Sequence, residues 1–146
     1  MALHRISLMD AYLIETLRSN GISNEEIITQ IKQENIEAWK RLNKHFDFNE
    51  LIKLAKQDMD AFQTLLSQGY RVKFVTFKGL QNLLRLRFGK ENGKDYELTE
   101  TGIRQLTLNH DQLVSVKKML SENWVAEEIE RGNEVIVNIG DAITPD

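Results

Sequence analysis

The sequence predicts an α+β protein: an N-terminal helical bundle packed on a small antiparallel sheet with a β-hairpin, a long C-terminal helix and a short final strand. Three observations predict it. Apolar residues recur at spacings of three and four from Leu8 to Leu66, the stripe of amphipathic helices. Aromatic and β-branched residues then crowd into Tyr70–Phe77, and Leu84–Phe88 alternates apolar with cationic, which is strand grammar. Finally, helical spacing returns over Leu113–Trp124 before the short apolar run Glu134–Ile139.

The first helix opens at Ser7, with Asp10 three residues on, and Leu8, Ala11, Tyr12, Ile14 and Leu17 give its apolar face. Asn20-Gly21 ends it. Ser23-Asn24-Glu25-Glu26 reads as a capping box opening a second helix with Ile27, Ile28 and Ile31 buried. Trp39 and Leu42 continue the spacing towards Phe46, as one helix or two over 24–46. Asp47 starts the best-defined helix, 48–67, through Leu51, Leu54, Ala55, Met59, Phe62, Leu65 and Leu66, and Gly69 stops it.

Residues 70–77 form the next expected strand. Lys78–Leu84 makes a short helix, and 84–88 a strand that Asn92-Gly93 turns back into 95–99, because both turn residues tolerate positive φ. Thr99 caps a short helix through Leu106. Asn109, with Gln112 three residues on, opens a long one that runs to Arg131-Gly132, about 34 Å if continuous. The strand 134–139 needs a sheet to join. The tail 141–146 carries the only proline, Pro145, and is expected to be loose. With 146 residues, 41% hydrophobic and 28% charged, the chain suits a single domain over 1–140. Within it, residues 1–68 are helical and residues 69–140 contain the hairpin.

The absence of cysteine removes disulfides, thiolate catalysis and cysteine-ligated metals. His4, His45 and His110 are scattered and predict no metal centre. Glu25-Glu26 and Glu127-Glu128 fall in predicted helices with solvent-facing neighbours, which reads as solvated faces and not as paired catalytic carboxylates. No glycine-rich phosphate loop or nucleophile elbow occurs, so no cofactor and no enzymatic activity is expected. The N-terminus lacks the apolar core of a signal peptide, and charges interrupt every candidate membrane span; the expected location is cytoplasmic.

Charge is segregated. Residues 1–68 hold 8 basic and 10 acidic side chains, 69–94 hold 7 and 1, and 95–146 hold 4 and 11, within a net −3. The cations Arg71, Lys73, Lys78, Arg85, Arg87, Lys90 and Lys94 are therefore the candidate nucleic-acid contacts, since phosphate binding needs only clustered positive charge. On an 84–88 strand, Arg85 and Arg87 share one face. The acidic last third offers the same cations a protein partner, in this chain or in a second copy. Leu113, Val116, Leu120 and Trp124 are the candidate anchors of such an interface.

Leu17–Leu42 has faint helix–turn–helix grammar, but three packed helices are the favoured explanation of the same pattern. Tyr96-Glu97-Leu98-Thr99-Glu100-Thr101-Gly102 resembles the end of the wing in winged helix-turn-helix regulators, with a basic hairpin before it and a long helix after it. The resemblance covers about 20 residues. It implies a small regulatory protein that binds nucleic acid through the hairpin, with a dimerisation helix following. Where that family fits two helices before its wing, this chain has room only for Lys78–Leu84. The alternative expectation is a non-enzymatic adaptor or inhibitor that binds another protein through its charged faces and long helix.

Overall fold

A computed structural model describes residues 4–131 and 134–141. It is a mixed α and β structure with two sheets. The chain opens with strand β1 (His4–Ile6) and helix α1 (Leu8–Ser19), then α2 (Asn24–Lys32), a 3-10 turn at Trp39–Arg41, α3 (Asn49–Gln57) and α4 (Met59–Gln68). Strand β2 (Tyr70–Val72) and helix α5 (Phe77–Phe88) follow. The remainder is β3 (Glu97–Leu98), β4 (Gly102–Asn109), α6 (His110–Met119), β5 (Trp124–Arg131) and β6 (Glu134–Asp141). The predicted loose tail lies outside the described residues, apart from Asp141.

Local signals set the helix starts. Ser7 Oγ accepts from the Asp10 N–H at 3.0 Å and Ser23 Oγ from the Glu26 N–H at 3.1 Å. Asn109 and Gln112 form a full capping box at the head of α6. Each cap satisfies amides that the helix itself leaves free. The predicted helix 48–67 is instead two, because Asp58 takes an extended conformation and its carboxylate caps α4 through the Ala61 N–H. Residues 24–46 likewise divide: only α2 is a full helix, and Trp39 is buried in the core beyond it.

The 70–77 strand shrinks to Tyr70–Val72. It pairs in parallel with His4–Ile6, a partner 66 positions upstream in register. The predicted strand 84–88 is the second half of α5. Thr76 caps that helix through the Gly79 N–H, and Leu80, Leu83 and Leu84 are fully buried at helical spacing. This stripe packs α5 along α1, and the five-residue alternation does not compete with it. A Cβ at Gly79 would lie 2.7 Å from Leu8 Cδ2, so a larger residue there would require the Leu8 side chain to shift. The Asn92-Gly93 turn survives only as a bridge from Asn92 to Tyr96.

The second sheet has the order β3-β4-β6-β5, all antiparallel. Two expected helices are thereby corrected. The stretch after Thr99 is strand β4, with Ile103, Leu106 and Leu108 buried. A bulge at Arg104-Gln105 interrupts its register with β6, and the Gln105 N–H turns to Asn138 Oδ1 at 3.0 Å.

The long C-terminal helix ends at Met119, and Trp124–Arg131 is a strand. The break is stapled to one buried residue. Val75 donates its N–H to Ser121 Oγ at 3.0 Å, and its carbonyl accepts from Asn123 Nδ2 and from Trp124 Nε1, at 3.1 and 2.6 Å. A continued helix would carry these three side chains apart and leave both Val75 groups buried without partners. Val135, Val137 and Ile139 of β6 complete the core between β4 and β5. Among the described residues, no helix is long and apolar enough to cross a membrane.

Candidate interaction surface

The predicted cations do not form one stripe. Arg85 and Arg87 lie two residues apart on α5, and about 200° of helical rotation separates them. Arg87 turns inward. Its guanidinium sits 5.4 Å from the Tyr70 ring centroid, and its Nε lies 3.9 Å from Glu15 Oε2, whose side chain is 1% exposed. Arg18 Nη1 reaches the same carboxylate oxygen at 3.1 Å, and Tyr70 Oη donates to it at 2.6 Å. Burial, and then the Glu15 charge, push the Tyr70 phenol well above its ordinary pKa, against the opposing pull of Arg87 and Arg18. Arg71 is also committed internally, donating to the Leu120 carbonyl at 2.7 Å. Lys73, Lys78, Arg85 and Lys94 are exposed and Lys90 is half-buried; none makes an ion pair among the described residues.

The expected interface anchors belong to the chain's own core. Leu113, Val116 and Leu120 are buried, the first two on the inner face of α6 against the sheet. Trp124 is half-buried beside Phe77, its ring 6.0 Å away and its indole N–H on Val75. A helix–helix seam with a second copy is not available to these side chains as they stand.

The sheet supplies a different surface. Its inner face carries Ile103, Leu106, Leu108, Val135, Val137 and Ile139. Strand alternation places Val125, Glu127 and Ile129 of β5 on the outer face, opposite Gly140, Asn138 and Ile136 of β6. Among the described residues no helix covers them: Val125 is 50% and Ile129 53% exposed. Two open depressions of about 270 and 490 Å³ flank them, the first between Val125 and Ile103 and the second between Ile129 and Thr107.

Strand β5 is also an edge. Its eight residues pair with β6 on one side only, and among the described residues the one backbone bond made elsewhere is from the Trp124 N–H, at the strand's start, to the Ser121 carbonyl. Such an edge presents a row of unpaired donors and acceptors. Glu127 is exposed on the outer face, while Glu128, projecting to the opposite face and also exposed, pairs with Lys117 of α6. The other edge, β3, is only two residues long, and Glu97 there holds Arg104 at 2.7 Å.

In the sequence, the helical spacing that Trp124 completes masks this surface. Two eight-residue runs separated by Gly132-Asn133 are the signal that identifies it, a hairpin spacing with a glycine-containing two-residue link. Among the described residues, no three histidine or acidic side chains converge as metal ligands. No protein-family model, curated protein or solved structure matches this chain.

Proposed function

We propose that the chain is a non-enzymatic protein-binding adaptor or inhibitor, which takes an extended segment of its partner as an added strand along β5. The observation that carries this reading is the unpaired eight-residue edge with Val125 and Ile129 exposed on either side of Glu127. Main-chain hydrogen bonds supply affinity in strand addition, and alternate side chains supply selectivity. The complementary segment alternates apolar residues with lysine or arginine, so that a cation lies opposite Glu127 and apolar side chains cover Val125 and Ile129. A second copy of β5 fits poorly, since antiparallel pairing of two such strands sets acidic residues against each other. The reading keeps the expected cytoplasmic location, supported by the cysteine-free composition.

Fluorescence anisotropy with two labelled octapeptides tests it, one alternating Val and Lys, the other Val and Glu. The Val/Lys peptide binds, the Val/Glu peptide does not, and Glu127→Lys reverses the preference. Equal binding of both peptides, or light scattering that shows a dimer through β5, overturns the proposal.

A second reading is nucleic-acid contact, and with it the winged-helix likeness of Tyr96–Gly102. It is supported by Lys73, Lys78, Arg85, Lys90 and Lys94, which are free of ion pairs among the described residues. Retention on heparin and on duplex DNA at low salt, lost in Lys78→Glu/Lys94→Glu, is the expected outcome. A wild-type protein that passes straight through both columns ends this reading.

A further inference from the structure

A cleft of about 390 Å³ opens among the helices, between α1, the segment after the Trp39–Arg41 turn, and α5. Its volume falls in the range of small-molecule sites. One wall is aromatic: Tyr12 and Phe46 stack with ring centroids 6.3 Å apart and planes 18° from parallel. Asn82 Nδ2 donates to Tyr12 Oη at 3.1 Å, which fixes both side chains and leaves the phenol hydrogen and the Asn82 carbonyl for another partner.

Two further groups point to an occupant. Thr16 lines the cleft and is 6% exposed, yet its Oγ1 has no hydrogen-bond partner among the described residues. A buried hydroxyl left unsatisfied costs free energy that a ligand can recover. Among the described residues, Arg85 is the only charged one in the lining, and it makes no ion pair with any of them. Its neighbour Arg87, by contrast, is engaged with Glu15.

We propose that this cleft binds a small planar aromatic carboxylate, the ring lying along Tyr12 and Phe46 and the carboxylate meeting the Arg85 guanidinium. Guanidinium matches a carboxylate with two parallel hydrogen bonds, and among the described residues no acidic side chain lines the cleft to take that charge from a ligand. The amide and hydroxyl groups of Asn82, Tyr12 and Thr16 then read polar substituents on the ring. The site is separate from β5 and does not depend on the strand-addition reading.

The test is a titration of isotope-labelled protein with 1-naphthoate and, separately, with uncharged 1-naphthalenemethanol, followed by two-dimensional NMR. Naphthoate shifts the Asn82 side-chain amide and the Thr16 backbone amide saturably. Arg85→Gln weakens naphthoate at least tenfold and leaves naphthalenemethanol unchanged. Phe46→Leu weakens both, and its own spectrum confirms that it is folded. Shifts that map elsewhere, no saturable binding, or an unchanged naphthoate affinity in Arg85→Gln each overturn the proposal. Because Arg85 is exposed on the helix surface, that variant reads binding and not folding.

Discussion

The Tyr70 phenol donates a 2.6 Å hydrogen bond to Glu15 Oε2 across 55 residues of chain, inside a core where both side chains are buried. The bond joins β2 to α1, and Arg18 and Arg87 approach the same oxygen, while Glu15 Oε1 is buried without a hydrogen-bond partner among the described residues. Arg18 extends it further, with Nε on Asn24 and Nη2 on the Leu66 carbonyl. One acidic residue thus ties the first helix to α2, α4, α5 and the short parallel sheet. Buried carboxylates are tolerated only with such partners.

Tyr70→Phe removes the donor and keeps the ring. The expected cost is about 1–3 kcal/mol, the usual penalty of leaving a buried acceptor short of a partner. The phenol's pKa is raised by folding, so its contribution is full below about pH 10, the ordinary phenol value, and is lost as pH rises through the folded value. The stability gap between wild type and Tyr70→Phe therefore narrows from pH 8 to pH 10.5. Urea unfolding at the two values measures it; a constant gap contradicts the linkage.

Arg85 and Arg87 separate structure from surface on one helix. Arg87→Gln withdraws a cation from Glu15 and from the Tyr70 ring, and costs about 1–3 kcal/mol, less than a full pair because Arg18 remains. Arg85→Gln changes stability by less than about 0.5 kcal/mol. Thermal and urea unfolding of both variants give the comparison, and equal losses would remove the distinction drawn between the two arginines.

What the chain shows on its face follows the range of each interaction. Helix starts at Ser7, Ser23 and Asn109 are legible because a cap and the amides it serves lie within three residues. The pairing of His4–Ile6 with Tyr70–Val72 is not, since nothing local announces a partner so distant. Leu84–Phe88 fits periods of 2 and 3.6 equally over five residues, and only the buried Leu80–Leu83–Leu84 stripe decides for helix. Charge alone singled out the candidate cations, of which Lys73, Lys78, Arg85 and Lys94 lie exposed and Lys90 half-buried. Charge also drew in Arg71 and Arg87, whose guanidiniums are spent inside the fold. The β5 surface was hidden by the Leu113–Val116–Leu120–Trp124 spacing, which ends as a helix because the side chains after it bind Val75.

That staple makes its own prediction. Ser121→Ala strips the buried Val75 N–H of its acceptor and is expected to cost about 1–3 kcal/mol. Trp124→Phe removes one of two donors to the Val75 carbonyl, and Asn123 still serves it, so the loss is smaller, about 1 kcal/mol from the hydrogen bond. The order of the two effects in urea midpoints is the check. A larger loss for Trp124→Phe would mean that packing against Phe77, and not the Val75 carbonyl, holds the start of β5.

Gly102 and Gly140 face each other in the β4–β6 register and should respond oppositely to the same change. An alanine Cβ at Gly102 would lie 2.0 Å from the Ile139 carbonyl oxygen, a backbone atom that cannot swing aside. Gly102→Ala must therefore push β4 off β6, and the expected loss exceeds about 2 kcal/mol, as for overpacking in a core. The Cβ built at Gly140 meets nothing within 4 Å, so Gly140→Ala is near neutral, or stabilising by a few tenths of a kcal/mol through the unfolded chain. Strand β6 lies between β4 and β5, so the disturbance passes to the edge. Hydrogen exchange should accelerate across β6 and β5 in Gly102→Ala and leave the buried α1–α5 pair protected. Exchange that rises uniformly through both layers would show instead that helices and sheet unfold as one unit.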